Sequence, residues 1–387
     1  MSAQNDTRYF VGFSLFPGIG PVRFHLLYTY FGSAKAAWEA PLTELKKIRL
    51  GDTRSEEFDA FRRKTNLDEY LSQLEKLHIS VLTIFDPKYP KLLKEIPDAP
   101  FLIYVRGKPA YVETSAGKRE KVPINLDRTV GVVGTRKISH YGVEVTQRIV
   151  TDLVSAGCTI VSGMAYGVDA IAHKTALDAG GQTIAVLGCG VDVIAPPTNT
   201  KLYWEIVESG RGAVLSEMPL GMRPDKGLFP ARNRIISGLS RGVVVTEGAQ
   251  DSGALITARN AAEQGREVFA VPGPITSQMS KAPAKLIKSG AKLVESATDI
   301  LDELNLSPHH HISPRPREIV VGMGTKGVSL TKHEQQIIDL LHNDRLHVDD
   351  IVRLSGLTAG EVASILTVLE IRGIMKDYGE KVYGLCN

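Results

Sequence analysis

The stretch Gly131-Val132-Val133-Gly134-Thr135-Arg136-Lys137-Ile138-Ser139-His140-Tyr141-Gly142 decides the fold of this chain. A short β-branched run ends on a glycine, a hydroxyl and cations follow, and a helical pattern begins. The same event recurs along the chain. Apolar, β-rich runs at Val130–Val133, Thr159–Val161, Thr183–Leu187, Ala213–Ser216, Gly242–Thr246 and Glu267–Val271 alternate with helical stretches. Near-continuous apolar runs are what parallel strands covered on both faces look like. Their alternation with helices predicts an α/β fold, a Rossmann-like, doubly wound and mainly parallel sheet over about Thr129 to Leu304. Ligands then belong at the carboxyl ends of the strands.

Upstream, residues 1–66 form a small helical domain, interrupted by Phe16-Pro17-Gly18-Ile19-Gly20-Pro21. That turn resembles a helix-hairpin-helix, though a plain tight turn explains it as well. Residues 67–305 form the extended Rossmann-like domain, entered by a helix, a strand at Ser80–Phe85 and another at Phe101–Arg106. Residues 111–128, polar and aperiodic, are expected as a surface loop. Residues 306–327 are rich in Pro, His and charge and make a linker, in which His309, His310 and His311 are composition rather than a metal site. Residues 328–387 give three helices and a hairpin around Tyr378-Gly379-Glu380, a winged helix. Its last helix presents Glu361, Ser364 and Thr367 outward with no Lys or Arg before Arg372, which argues against reading a duplex groove and for a protein-contact or regulatory role.

The 387 residues carry a formal charge of +3, with 43% hydrophobic and 23% charged residues. A charge so small decides nothing about partners unless its placement does. Three cysteines, Cys158, Cys189 and Cys386, lack CxxC spacing, which disfavours a disulfide framework or a zinc site and points to a reducing compartment. No leader pattern opens the chain and no run approaches a membrane span, so a soluble cytoplasmic protein is expected.

Four constellations fall where strands end. Gly134-Thr135-Arg136 offers backbone amides and a guanidinium to an anion. Ser162-Gly163-Met164, ahead of Asp169, is a glycine turn opening a helix, an oxyanion site made of orphan N–H groups. Lys226-Gly227-Leu228-Phe229-Pro230-Ala231-Arg232-Asn233-Arg234 concentrates cations, an amide and an aromatic, the combination that holds phosphates and stacks bases of a single strand. Glu247 to Gly253 is a flexible loop before another helix. Each is ordinary alone: a glycine relieves crowding, and a phenylalanine is usually core. Together, at successive strand ends, they are not.

Two patterns mislead. Gly188-Cys189-Gly190 begins like a dinucleotide fingerprint, but Pro196-Pro197 and β-branched residues follow where a helix should open, so no such cofactor is expected. Asp169 and His173, one helical turn apart near Ser162, suggest a triad, yet both lie on one face and fit capping and packing better. With no nucleophile–base–orienter set, an enzyme is not expected.

GVVGTRKISHYG, IVSGMAYGVDAIAH, AVLGCGVDVIAPPTN, LSEMPLG, FPARNRIISGLSRGVVVTEG and SGALITARNAAEQGREVFAVPG, spread over residues 131 to 273, together resemble the DNA-processing protein A family (DprA, also called Smf). The resemblance implies a homodimer built on the Rossmann-like domain. It implies a role in natural transformation and recombination, in which incoming single-stranded DNA is protected and the recombinase RecA is loaded onto it. It implies phosphate contacts from Gly134, Arg136, Ser162, Gly163, Lys226, Arg232 and Asn233, with Phe229 against a base. One departure stands out: Ala282-Pro283-Ala284 occupies the place of the family's Gly-x-Asn before Leu286-Ile287. The rival is a nucleotide-processing hydrolase. Glu247-Gly248-Ala249 faintly resembles the phosphoribohydrolases of the lysine-decarboxylase-like group, whose Pro-Gly-Gly-x-Gly-Thr loop is absent.

Overall fold

The computed structural model describes residues 4–48, 50–107, 110–113, 119–122, 124–225, 227–306, 332–341, 346–371, 374–377 and 381–385. Lys226, Arg372, the triplet His309 to His311 and nearly all of the expected linker lie outside them. The chain divides into two compact units, Met1–His311 and Ile312–Asn387.

The first unit is built on a nine-stranded sheet. Its strands are β1 (Ile79–Thr83), β2 (Leu102–Arg106), β5 (Thr129–Val133), β6 (Thr159–Ser162), β7 (Gln182–Val186), β8 (Gly212–Ser216), β9 (Gly242–Val245), β10 (Glu267–Ala270) and β11 (Lys292–Leu293). The order is β1-β2-β8-β7-β6-β5-β9-β10-β11. Strands β5 to β11 are parallel, and β2 joins them antiparallel at β8. Every residue of β5, β6, β8 and β9 is buried, which is why these strands show as apolar runs without alternation. Their side chains divide between two cores. Val130, Val132, Ile160 and Val244 pack on helices His140–Ser155 and Val168–Asp178. Val133, Val161, Val243 and Val245 pack on helices Leu228–Gly238 and Ala254–Glu263.

The chain winds outward from β5 through β8, then returns beside β5 to lay down β9 and β10 the other way. The order reverses between β5 and β9, and a ligand is expected at the carboxyl ends of these two strands.

The N-terminal helices Gln4–Leu15, Pro21–Phe31, Ala34–Glu39 and Asp52–Lys64 bring Phe10, Phe13, Phe16, Phe24 and Phe58 together. This cluster runs without a break into Tyr104 on β2, Ala185 on β7 and Val214 on β8, so residues before 66 share a core with the sheet. Ser14 Oγ and Tyr104 Oη, 2.7 Å apart, mark the seam.

The expected loop at 111–128 holds structure of its own. β3 (Ala110–Glu113) and β4 (Arg119–Val122) pair antiparallel, with Glu113 opposite Arg119, and stay separate from the large sheet. The charged residues within both strands hide them from a search for apolar alternation.

In the second unit, helices Lys332–Leu340, Val348–Ser355 and Ala359–Ile371 surround Ile337, Ile351, Val362, Leu366 and Leu369. A three-stranded sheet, β12 (Leu346–His347), β14 (Val382–Leu385) and β13 (Met375–Asp377), completes a winged helix. The two-residue β12 is too short to leave a pattern in sequence. Among the described residues no single helix is long and apolar enough to cross a membrane.

Candidate nucleic-acid interface

An open cleft of ≈ 700 Å³ lies at the reversal point, bordered by the loops after β5 and β9, the turn after β6 and the start of helix Leu228–Gly238. The β5 loop is held by its backbone and by Thr135 Oγ1, which accepts from Lys137 N–H at 3.1 Å. Thr135 N–H donates to the Glu247 carbonyl at 2.8 Å, and Val168 N–H donates to the Thr135 carbonyl at 3.2 Å. A Cβ on Gly134 would stand 2.5 Å from Val168 Cγ2 and 2.8 Å from Glu247 O, so only glycine lets the β5 and β9 loops and the Val168 helix meet. Beyond this clamp Arg136 and Lys137 are exposed. The Arg136 guanidinium lies 5.3 Å from the centre of the Phe229 ring, a cation over an aromatic face.

Ser162 and Gly163, predicted as phosphate contacts, sit deeper. Ser162 is fully buried and its hydroxyl donates to the Val132 carbonyl at 2.7 Å. Gly163 lies beneath Arg232, where a Cβ would fall 1.6 Å from Nη1. Gly163 and Ala165 N–H donate to Asp169 Oδ2 at 3.1 and 3.3 Å. Asn199, from the stretch that breaks the false dinucleotide motif, donates Nδ2 to the Met164 carbonyl at 2.8 Å and pins this turn from outside. Sequence gave no hint of that role beyond the position of Asn199 after two prolines.

Arg232 lines the cleft but is 4% exposed, with Nη1 donated to the Val186 carbonyl at 2.8 Å. Its Nε has no partner among the described residues. Burial pulls the guanidinium pKa down, and the nearby Asp169 charge opposes that shift. Burial likewise pushes the Asp169 carboxyl up, against Arg232 and the two amides. His173 is buried beside them. Thr183 spends its proton on the Ile160 carbonyl at 3.0 Å, so the 2.7 Å contact requires His173 Nδ1 to donate to Thr183. Burial first, and the Arg232 charge second, hold the His173 pKa down at about 3. Asp169 and His173 thus serve the turn and the core, as their spacing suggested.

On helix Leu228–Gly238, Phe229 and Asn233 are half-buried and border the cleft. Arg234, counted with the cations of this segment, points elsewhere: it pairs with Glu217 and, at 3.0 Å, with Asp98. Helices Leu228–Gly238 and Ala254–Glu263 begin at the cleft, and much of their first turns is already satisfied: Ala254 N–H donates to Ser252 Oγ at 3.3 Å, Leu255 N–H to the Ser252 carbonyl at 3.0 Å and Leu228 N–H to the Asp225 carbonyl at 3.1 Å.

Glu247, the carboxylate of the hydrolase reading, is 2% exposed. Its Oε1 accepts from Ser139 Oγ at 2.6 Å and its Oε2 from Ser139 N at 2.9 Å. Ser139 is the N-cap of helix His140–Ser155, so Glu247 anchors that helix to the β9 loop. Gly188 and Gly190 enter no helix: Gly190 N–H donates to the Met222 carbonyl at 2.9 Å. At the family's departure, Ala282 is buried, its N–H 2.9 Å from the Gly248 carbonyl, and a Cβ on Gly248 would touch the Ala282 methyl at 2.9 Å. A small apolar residue fits that gap. In the winged helix, Glu361, Ser364 and Thr367 are exposed, as the helix pattern predicted.

The family model of DNA recombination-mediator protein A matches residues 80–305, and the DprA winged helix domain matches residues 325–375. The chain is 35% identical to Protein Smf of Synechocystis over 96% of this chain and 97% of that protein. It is 36% identical to DNA processing protein DprA of Bacillus subtilis over 69% of this chain and 88% of that protein. The crystal structure of DprA from Streptococcus pneumoniae covers 78% of this chain and 99% of its own, at 36% identity and a TM-score of 0.64. The DNA processing protein A of Helicobacter pylori, described for its single-stranded DNA binding mode, covers 60% of this chain and 98% of its own, at 29% identity and a TM-score of 0.50.

Proposed function

Since this chain belongs to the DNA recombination-mediator protein A family, we propose that its cleft holds single-stranded DNA by the phosphates in DNA processing during natural transformation and recombination. The observation that carries the reading is the Arg136 guanidinium over the Phe229 ring, at a cleft lined by the starts of two helices. A phosphate meets cations and amides there while a base meets an aromatic face, and neither contact depends on base identity. Lys226, one residue before Gly227, adds a cation to the same segment in this reading. Arg232, resting on Gly163, forms the floor, and Gly134 and Asn233 the walls.

The protein holds and hands over rather than turning over. The one carboxylate offered for hydrolysis, Glu247, is spent on Ser139, which disfavours the phosphoribohydrolase alternative. Loading of RecA onto the held strand, a homodimer built on the Rossmann-like unit and a cytoplasmic location complete the proposal. The exposed edge strand β11, with Leu293 44% exposed, and Ile275 at 91% supply apolar surface of the kind a dimer covers. Fluorescence anisotropy with single- and double-stranded oligonucleotides over a salt series tests the central reading. Preferential, salt-sensitive binding of the single strand is expected. Equal or absent binding would overturn it, as would release of a free base from a nucleoside monophosphate.

A further inference from the structure

The Pro17-Gly18-Ile19-Gly20 turn borders a second cavity, of ≈ 280 Å³, that the cleft reading does not use. Phe16, Ile19 and Phe101 wall it on one side, Met218, Met222 and Leu228 on the other. The far wall is held firmly: Leu220 N–H donates to Tyr70 Oη at 2.7 Å, Gly221 N–H to the Asp192 carboxylate at 3.0 Å, and Met222 O accepts from Gly190. The cavity is therefore preformed. Its one charged lining residue, Glu217, is already matched by Arg234.

Two features say what belongs in it. The first is continuity with the cleft. Leu228 lines the cavity and Phe229, the next residue, lines the cleft, so the two share the start of helix Leu228–Gly238 as a common border. A strand held in the cleft that continues past this border reaches the cavity. The second is charge. Arg23 donates Nη1 to the Gly18 carbonyl at 2.8 Å, and the Arg54 side chain lies against the same glycine, so two cations stand at the rim of an apolar pocket. An apolar slot with sulfur and ring edges inside and guanidinium groups outside suits a flat aromatic ring carrying an anion. That is a nucleotide.

We infer that this cavity is a second base subsite for the strand held in the cleft, taking one nucleobase between Phe16, Phe101 and Met222, with Arg23 and Arg54 on the adjoining phosphate. The inference rests on the proposed single-strand reading and extends the path onto the N-terminal helices. It gives the shared core of those helices and the sheet a use: the two subsites are fixed relative to one another within one unit.

The test pairs a short oligothymidylate, long enough only for the cleft, with one several-fold longer, and compares Met222→Trp, Arg54→Gln and Arg136→Ala with the parent by anisotropy over a salt series. Met222→Trp fills the cavity; Arg54→Gln removes a rim charge without touching the packing. Both should bind the short strand as the parent does. On the long strand Met222→Trp should lose roughly 5- to 150-fold, the range of one lost base stack. Arg54→Gln should flatten the long-strand salt slope by ~0.7, one phosphate's worth. Thermal melts confirm that each variant is folded, and Arg54→Gln stands alone should Met222→Trp fail to fold. If Arg136→Ala weakens both strands while the other two bind the long strand with parental affinity and slope, the cleft reading holds and the subsite is wrong; a protein side chain is then the better occupant. If the parent binds neither strand, the functional reading itself falls.

Discussion

Arg136, Phe229 and Arg232 converge on one cleft yet differ in what they have left to give. Arg136 is exposed, so Arg136→Ala should weaken single-strand binding for every sequence and flatten the salt slope by ~0.7. Phe229→Ala should cost about 1–3 kcal/mol of binding with the slope unchanged, the mark of a lost stack. Arg232 is buried, with Nη1 on the Val186 carbonyl and the Asp169 charge nearby, so Arg232→Ala should act on the fold, lowering stability by about 1–3 kcal/mol as that hydrogen bond is lost. Melts beside anisotropy titrations separate the three; an Arg232→Ala protein that melts like the parent but loses a unit of salt slope would make Arg232 a direct phosphate ligand. His173 supplies a pH signature. Its folded pKa, about 3, lies below the ordinary value of 6.5, so the unfolded chain takes up a proton that the folded chain refuses as pH falls below 6.5. Stability from this residue is full at neutral pH and declines by ~1.4 kcal/mol per unit toward pH 3. Between pH 7 and pH 5, urea unfolding of the parent should lose about 2 kcal/mol more than that of His173→Gln. Equal losses would mean that His173 is protonated where it sits.

At the scale of elements, the contact between Glu247 and Ser139 ties the β9 loop to the start of helix His140–Ser155. Ser139→Ala should cost about 1 kcal/mol as a lost cap, and Glu247→Gln a similar amount. The double variant should cost less than the sum, since each change breaks the same pair. Additive losses in denaturant titrations would show that the two act separately. This pair also shows where sequence reasoning stops. The strands after Thr129 were legible because burial on both faces leaves an unbroken apolar run, and the glycine at each strand end is a local signal. Glu247 and Ser139 are 108 residues apart, and nothing near either names the other. The burial of Arg232, the Asn199 clamp and the turning away of Arg234 toward Glu217 are long-range facts of the same kind. The hairpin of β3 and β4 was hidden differently, by charged residues within the strands themselves.

At the scale of the molecule, the two units have separate cores, one around the sheet and one around Ile337, Ile351 and Leu366. A chain ended near residue 306 should fold and keep its single-strand affinity within about twofold, since the residues lining the cleft fall between Val133 and Thr257 of the first unit and twofold is well under 1 kcal/mol. A large loss in a truncated protein with a normal melt would show that the acidic face of Glu361 and its neighbours has a part in holding DNA, directly or through a second copy. The N-terminal helices offer no such clean cut, because Phe10 to Phe58 complete the core that covers β2, β7 and β8.

The guanidinium resting on Gly163 carries a consequence for inheritance. A methyl at 163 falls on the far end of Arg232, which would have to leave its buried place, and shortening residue 232 first takes its charge from beside Asp169. Each step alone costs stability, so the two positions form a fitness valley rather than a slope. Descendants of this gene should keep both residues or, in one rare event, replace both, and a library that varies position 163 by itself should return glycine.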